Sequence, residues 1–160
     1  MTLNNPPAPS RPYIAHEEYG IPKSVKGTLD WSHVVERMEK AKNYWVATVR
    51  PDGRLHTVPV WGVWVDNVAY FGGGPETRWS RNLKASPEVA VHLESGDDVL
   101  ILEGTVDRIE DPEHPLLKRI DDAYEQKYQM RHGPPLWVLR PRVILAWTQF
   151  PKDATRWKFE

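Results

Sequence analysis

The 160-residue sequence predicts one α+β domain, a mostly antiparallel sheet curled into a closed or partly closed barrel with helices beside it. Three observations lead there. Apolar residues alternate along short segments joined by turn-length connections, the pattern of hairpins. Two long helical stretches do not alternate with the strands, which argues against a βαβ order. The length fits a single domain of ~100–200 residues.

The elements follow in chain order. Pro6, Pro7, Pro9, Pro12 and Pro22, with Asn4, Asn5 and Ser10, make residues 1–28 an extended N-terminal arm, and the folded domain is expected over 29–160. Asp30 caps a helix running to about Asn43, whose Trp31, Val34, Val35, Met38 and Ala41 form one apolar stripe. Tyr44 to Arg50, a turn over Pro51-Asp52-Gly53-Arg54, and Leu55 to Val65 form a hairpin. Pro59 interrupts its second strand; because proline cannot donate to a ladder, an edge, bulge or barrel corner is expected there. Asp66-Asn67 turns into a strand over Val68 to Phe71, three glycines follow, and Glu76 to Ala85 reads as a short helix ended by Ser86-Pro87. Val89 to Glu94 and Val99 to Ile109 flank a Ser95-Gly96-Asp97-Asp98 turn. A helix over Pro112 to Met130 carries Leu116, Leu117, Ile120, Tyr124 and Tyr128 on one face and stops at Gly133-Pro134-Pro135; a last strand spans Val143 to Phe150.

Composition narrows the chemistry. Lys plus Arg is 21 and Asp plus Glu is 22, a net charge of −1, which argues against a phosphate-backbone reader. With no cysteine, thiol catalysis, disulfides and thiolate-held metals are excluded. The six histidines show no metal-ligand spacing, Asp97-Asp98 belong to a turn, and no Gly-x-Ser-x-Gly elbow surrounds Ser80 or Ser95. No apolar run reaches the ~20 residues that cross a bilayer, and the start lacks a signal pattern, so a soluble cytoplasmic protein is expected. Among eight tryptophans, Trp61 and Trp64 are an odd number of residues apart, so a regular strand turns one of them outward, towards a flat ligand or a partner subunit.

The segment that carries chemistry is Phe71-Gly72-Gly73-Gly74-Pro75-Glu76-Thr77-Arg78-Trp79-Ser80-Arg81-Asn82-Leu83. A strand ends, glycines permit close approach, and a helix begins with Arg78, Arg81 and Asn82 on one side, beside the Thr77 and Ser80 hydroxyls. Two forked guanidiniums suit a phosphate monoester. The same pattern also fits a glycine turn before a solvated helix. It is neither a P-loop nor a dinucleotide fingerprint, since no Gly-Lys-Ser/Thr follows and Thr77 stands where a third glycine is needed.

These residues resemble the flavin-binding split β-barrels of the pyridoxamine 5′-phosphate oxidase-like family, including its deazaflavin-using branch. Trp45-Val46-Ala47-Thr48-Val49-Arg50-Pro51-Asp52-Gly53-Arg54 with Thr57-Val58-Pro59-Val60-Trp61 is similar to the opening hairpin. Tyr70-Phe71 through Arg78, Arg81-Asn82-Leu83 and Pro87-Glu88-Val89-Ala90-Val91 is similar to the phosphate segment and next strand. The resemblance implies a six-stranded antiparallel split barrel with flanking helices, a homodimer, and a cofactor at the subunit interface. It places Arg78, Arg81 and Asn82 on the cofactor phosphate with Thr77 assisting, and Val58, Pro59, Val60 and Trp61 along the isoalloxazine with Tyr70, Phe71 and Gly72 beside it. Arg156, in the closing Ala154-Thr155-Arg156-Trp157-Lys158-Phe159 stretch, is implied to approach the partner subunit's cofactor, with a surface charge pair as its other reading. Trp79 departs from the pattern, because many members carry a lysine there.

The implied function is FMN-dependent hydride transfer between flavin N5 and a small organic substrate, with no dedicated protein acid or base. Coenzyme F-420 is the alternative carrier, whose acidic tail would need a basic groove, for which Arg11, Lys23 and Lys26 are available. A non-catalytic flavin- or haem-binding protein is the competing class. Oxidation of pyridoxamine 5′-phosphate itself needs a second phosphate site, and the sequence holds no second glycine–arginine run.

Overall fold

A computed structural model describes residues 5–159. Helix α1 (Trp31–Lys40) buries Val34 and Met38 against the sheet. It ends three residues before the expected Asn43, because Ala41 leaves the helical region to let Tyr44 begin a strand, and the Tyr44 hydroxyl donates to the Met38 carbonyl at 2.7 Å. Strands β1 (Tyr44–Val49) and β2 (Leu55–Val60) pair antiparallel from Tyr44↔Val60 to Val49↔Leu55 around a turn in which Gly53 takes φ 83°.

The long strand expected over Leu55 to Val65 is two strands. The chain breaks at Trp61 and resumes as β3 (Gly62–Val65), then turns through Asp66 and Asn67, both at positive φ, into β4 (Val68–Gly72). Gly62 is obligatory here, since a Cβ would run into the Tyr44 ring. Helix α2 (Arg78–Ala85) leads into β5 (Glu88–His92) and β6 (Val99–Ile109), and α3 (Leu117–Tyr128) crosses to β7 (Leu136–Trp147). β7 begins seven residues before the expected Val143. Its interior Pro141 obscures the strand pattern, and is accommodated by a register shift at Glu103/Gly104. β8 (Thr155–Lys158), too short to show a period, adds to β7.

All pairings are antiparallel, in the order β2-β1-β5-β6-β7-β4-β3. The two ends of that order are halves of one chain passage bent at Trp61, so the sheet curls into a barrel whose seam is the bend. The sheet has eight strands among the described residues, two more than the resemblance implied, because one passage is split at Trp61 and β8 adds to β7.

Two buried clusters result. The barrel interior holds Val34, Met38, Val91, Leu102, Ile144 and Trp157; a second cluster under α3 joins Tyr70, Ile120, Tyr124, Tyr128 and Leu136. The N-terminal segment is tied to the edge of β8, where Ser10 and Arg156 exchange two backbone hydrogen bonds of 2.8 Å. Opposite the interior, the register sets Pro59, Trp45, His92, Ile101, Leu145 and Arg156 in one row across six strands, and none of these side chains is buried. Among the described residues no helix is long and apolar enough to cross a membrane.

Candidate functional site

Helix α2 begins where Thr77 caps it: its hydroxyl donates to the Gly74 carbonyl at 2.8 Å and accepts from the Ser80 N–H at 3.4 Å. Thr77 is therefore engaged as a cap. The glycines before it are also explained by packing. A Cβ at Gly72 would meet the His132 ring, and one at Gly73 would lie 2.6 Å from the Trp79 indole. Two of the three glycines thus admit side chains of the protein itself, which differs from the expected phosphate cradle, and none of the three takes positive φ. Trp79 is buried against Phe71, at 5.9 Å between ring centroids.

Asn82 does not face outward with the arginines. It is fully buried, and its amide donates to Thr48 Oγ1 at 3.0 Å, fastening α2 to β1. Its side-chain oxygen has no partner. Arg78 and Arg81 remain. Neither guanidinium has a hydrogen bond or ion pair among the described residues, and α2 packs against β1 and β2, which brings the pair towards Arg50 and Arg54. Desolvation and then the charges of Arg81, Arg50 and Arg54, opposed by Asp52, lower the Arg78 pKa, as expected of a cation crowded by cations. Arg50 is a residue that sequence reasoning missed, since it closes a strand 28 positions before Arg78.

The proposed ring-lining strand is β2. Its second edge is unpaired, Pro59 is exposed, Val58 half-buried, and Val60 points inward. Trp61 is the outward tryptophan of its pair at 41 % exposure, while Trp64 is buried. The Trp61 ring stacks on Tyr128 at 4.5 Å and 3°. The bend beside it leaves backbone groups that α3 satisfies. The Tyr128 hydroxyl accepts from Gly62 N–H at 3.0 Å and lies 2.8 Å from the Gly62 carbonyl; Lys127 Nζ donates to that carbonyl at 2.8 Å, and Tyr124 to the Trp61 carbonyl at 3.3 Å. Burial lowers the Lys127 pKa to about 8, with Glu39 opposing.

Tyr70 and Phe71 were expected beside the ring, but both side chains are buried, one under α3 and the other in the barrel interior. Successive strand residues point to opposite faces, and here both faces are cores. Arg156 lies on β8 opposite Leu145, and its Nε donates to Ser10 Oγ at 3.2 Å. Arg11 is not free for an acidic tail, because its guanidinium donates to the carbonyls of Ser24, Lys26, Lys152 and Ala154. Lys23 and Arg156 line a cavity of about 530 Å³ beside it.

No match is found among curated proteins. Solved structures with the same architecture include a conserved hypothetical protein of Mycobacterium tuberculosis, Rv2991, at 19 % identity over 75 % of this chain and 85 % of that one, TM-score 0.65. An F420 reductase matches at 25 % identity over 71 % and 96 %, TM-score 0.53. HutZ, the haem storage protein of Vibrio cholerae, matches at 17 % identity over 69 % and 89 %, TM-score 0.57. The fold is thus the split barrel that the sequence resemblance implied. A family model described as pyridoxamine 5′-phosphate oxidase matches residues 31–148, from the first turn of α1 to the end of β7, and the chain accordingly belongs to that family.

Proposed function

We propose that this chain is an oxidoreductase that binds FMN between two copies of itself, with Arg78 and Arg81 on the phosphate and the β2 segment Val58 to Trp61 along the ring. The observation that carries the reading is the arginine pair. Two guanidiniums without a carboxylate partner, crowded by Arg50 beside an unpaired strand edge, are in want of an anion. When bound, the flavin supplies hydride exchange at N5. The chain's own part is to bind and orient. Pro59 has no N–H to offer the ring edge, and Trp61 offers a flat apolar wall backed by Tyr128.

The dimer is supported by the unburied row on the outer sheet face and by Leu55, 79 % exposed on β2. Arg156 belongs to the same unburied row as Pro59, and its proposed place is against the partner subunit's cofactor. Coenzyme F-420 is the alternative carrier, favoured by the F420 reductase match; with Arg11 engaged, Lys23 and Lys26 are the remaining arm cations for its tail. Sequestration without turnover is the second reading, favoured by the match to a haem storage protein.

Arg78→Ala combined with Arg81→Ala is expected to abolish FMN retention while leaving the melting temperature within a degree or two, since solvated helix arginines add little to stability. Flavin fluorescence titration and thermal unfolding check both halves; an unchanged FMN affinity removes the phosphate role. Parallel titration with F-420 decides the carrier, and electron exchange with a chemical reductant and acceptor separates catalysis from sequestration.

A further inference from the structure

The sequence holds no second glycine–arginine run, yet folding assembles a second cationic cavity from residues far apart in the chain. It lies on the other flank of α2, where the helix meets the glycine loop and the β6–β7 ladder, and encloses about 210 Å³. Ser80, Arg81, Lys84 and Arg108 line it together with Glu76 and Trp137. Ser80 and Lys84 are four apart on the helix and Arg81 and Lys84 three apart, so Lys84 neighbours both; Arg78, three from Arg81 and two from Ser80, borders Arg81 but lies across the helix from Ser80.

We propose that this cavity binds a small phosphate-bearing ligand, bordering the cofactor site at Arg81 but resting on Ser80, Lys84 and Arg108, which the cofactor reading does not use. Three features point to an anion. Ser80 is 4 % exposed and its hydroxyl has no partner, a buried polar group left unsatisfied without a ligand. Arg108 is held in place by stacking over Trp137, 5.3 Å from the ring centroid, and by an ion pair of 2.9 Å to Glu110, while its Nε is buried and unpartnered. Arg81 and Lys84 have no ion pair among the described residues, so with Arg108, itself paired to Glu110, three cations line the cavity against one carboxylate, Glu76. The excess is positive, and the donors without partners are a hydroxyl and a guanidinium N–H, the groups that hold phosphate oxygens.

Size sets the ligand class. At about 210 Å³ the cavity admits a phosphate with a few further atoms. Drug-sized ligands take ~300–1,000 Å³, so a three-ring cofactor with its side chain does not fit. The inference does not depend on flavin binding by the opposite flank.

The test is titration of the full chain with inorganic phosphate, followed by phosphorus NMR, beside FMN titration of the same variants. The wild type is expected to bind phosphate saturably. Ser80→Ala and Lys84→Gln should each weaken phosphate about tenfold, as for loss of one charge-assisted contact, with FMN affinity unchanged. Ser80→Ala should not lower the melting temperature, because it removes a hydroxyl that the free protein leaves unpaired. Arg78→Ala should lose FMN and keep phosphate. No saturable binding, wild-type affinity in both Ser80→Ala and Lys84→Gln, or loss of phosphate in Arg78→Ala to the same extent as FMN would overturn the proposal.

Discussion

The barrel interior and the cluster under α3 are equally buried but chemically different. The interior is chiefly hydrocarbon and indole, with Met38, Val46, Val91, Leu102, Ile144 and Trp157 at or below 1 % exposure. It can be so because strands that pair on both sides already satisfy their own N–H and C=O groups. The α3 cluster sits over the bend at Trp61–Gly62, where one passage leaves the first ladder and joins another. There the backbone is short of partners, and Tyr124, Lys127 and Tyr128 supply them. The difference teaches why the core carries a cluster of polar atoms at its seam: the bend strands backbone groups that side chains must satisfy.

The comparison is broken most severely by Trp157→Ala, which empties the interior and is expected to cost about 3–5 kcal/mol in urea unfolding. Tyr128→Phe strikes the seam alone. It leaves the Gly62 N–H buried without an acceptor and should cost about 1–3 kcal/mol, whereas a seam indifferent to polar partners would show almost none.

Lys127 sharpens the contrast through pH. Its folded-state pKa, about 8, lies below the ordinary lysine value of 10.5, so in that interval the unfolded chain binds more protons and stability rises with pH. Lys127→Met should flatten the rise between about pH 8 and 10, read as the urea midpoint. Above about pH 10 Tyr44 and Tyr124 oppose it, since burial raises both phenol pKa values and the unfolded chain ionises first.

Much of the fold was legible because hairpins announce themselves locally. The Pro51–Arg54 and Asp66–Asn67 turns and the stripe of α1 depend on neighbours in sequence, and the structure has them. Pro59 correctly signalled an edge, but the break came two residues later, at Trp61, where the decisive contacts are Tyr44 against Gly62 and α3 over the bend. The start of Leu136–Trp147 was missed because Pro141 interrupts its alternation, and the register shift that skips Arg142 beside it shows only in the pairing with β6. The candidate site was legible as residue types. Where folding sets them was not: Thr77 caps α2, Asn82 fastens α2 to β1, Tyr70 and Phe71 fill cores, and Arg50 lies near Arg78.

By itself the sequence determined the class of fold, the positions of most strands and helices, and the arginines after the glycine loop, since each rests on periodicity or turn chemistry within a few residues. Only the tertiary structure decided where the strand bends and which side chains of α2 stay free. It alone also set Ser80 and Lys84 beside Arg108. Those outcomes depend on which distant surfaces share space, and a chain folded into a curl has two buried faces where a linear reading sees one.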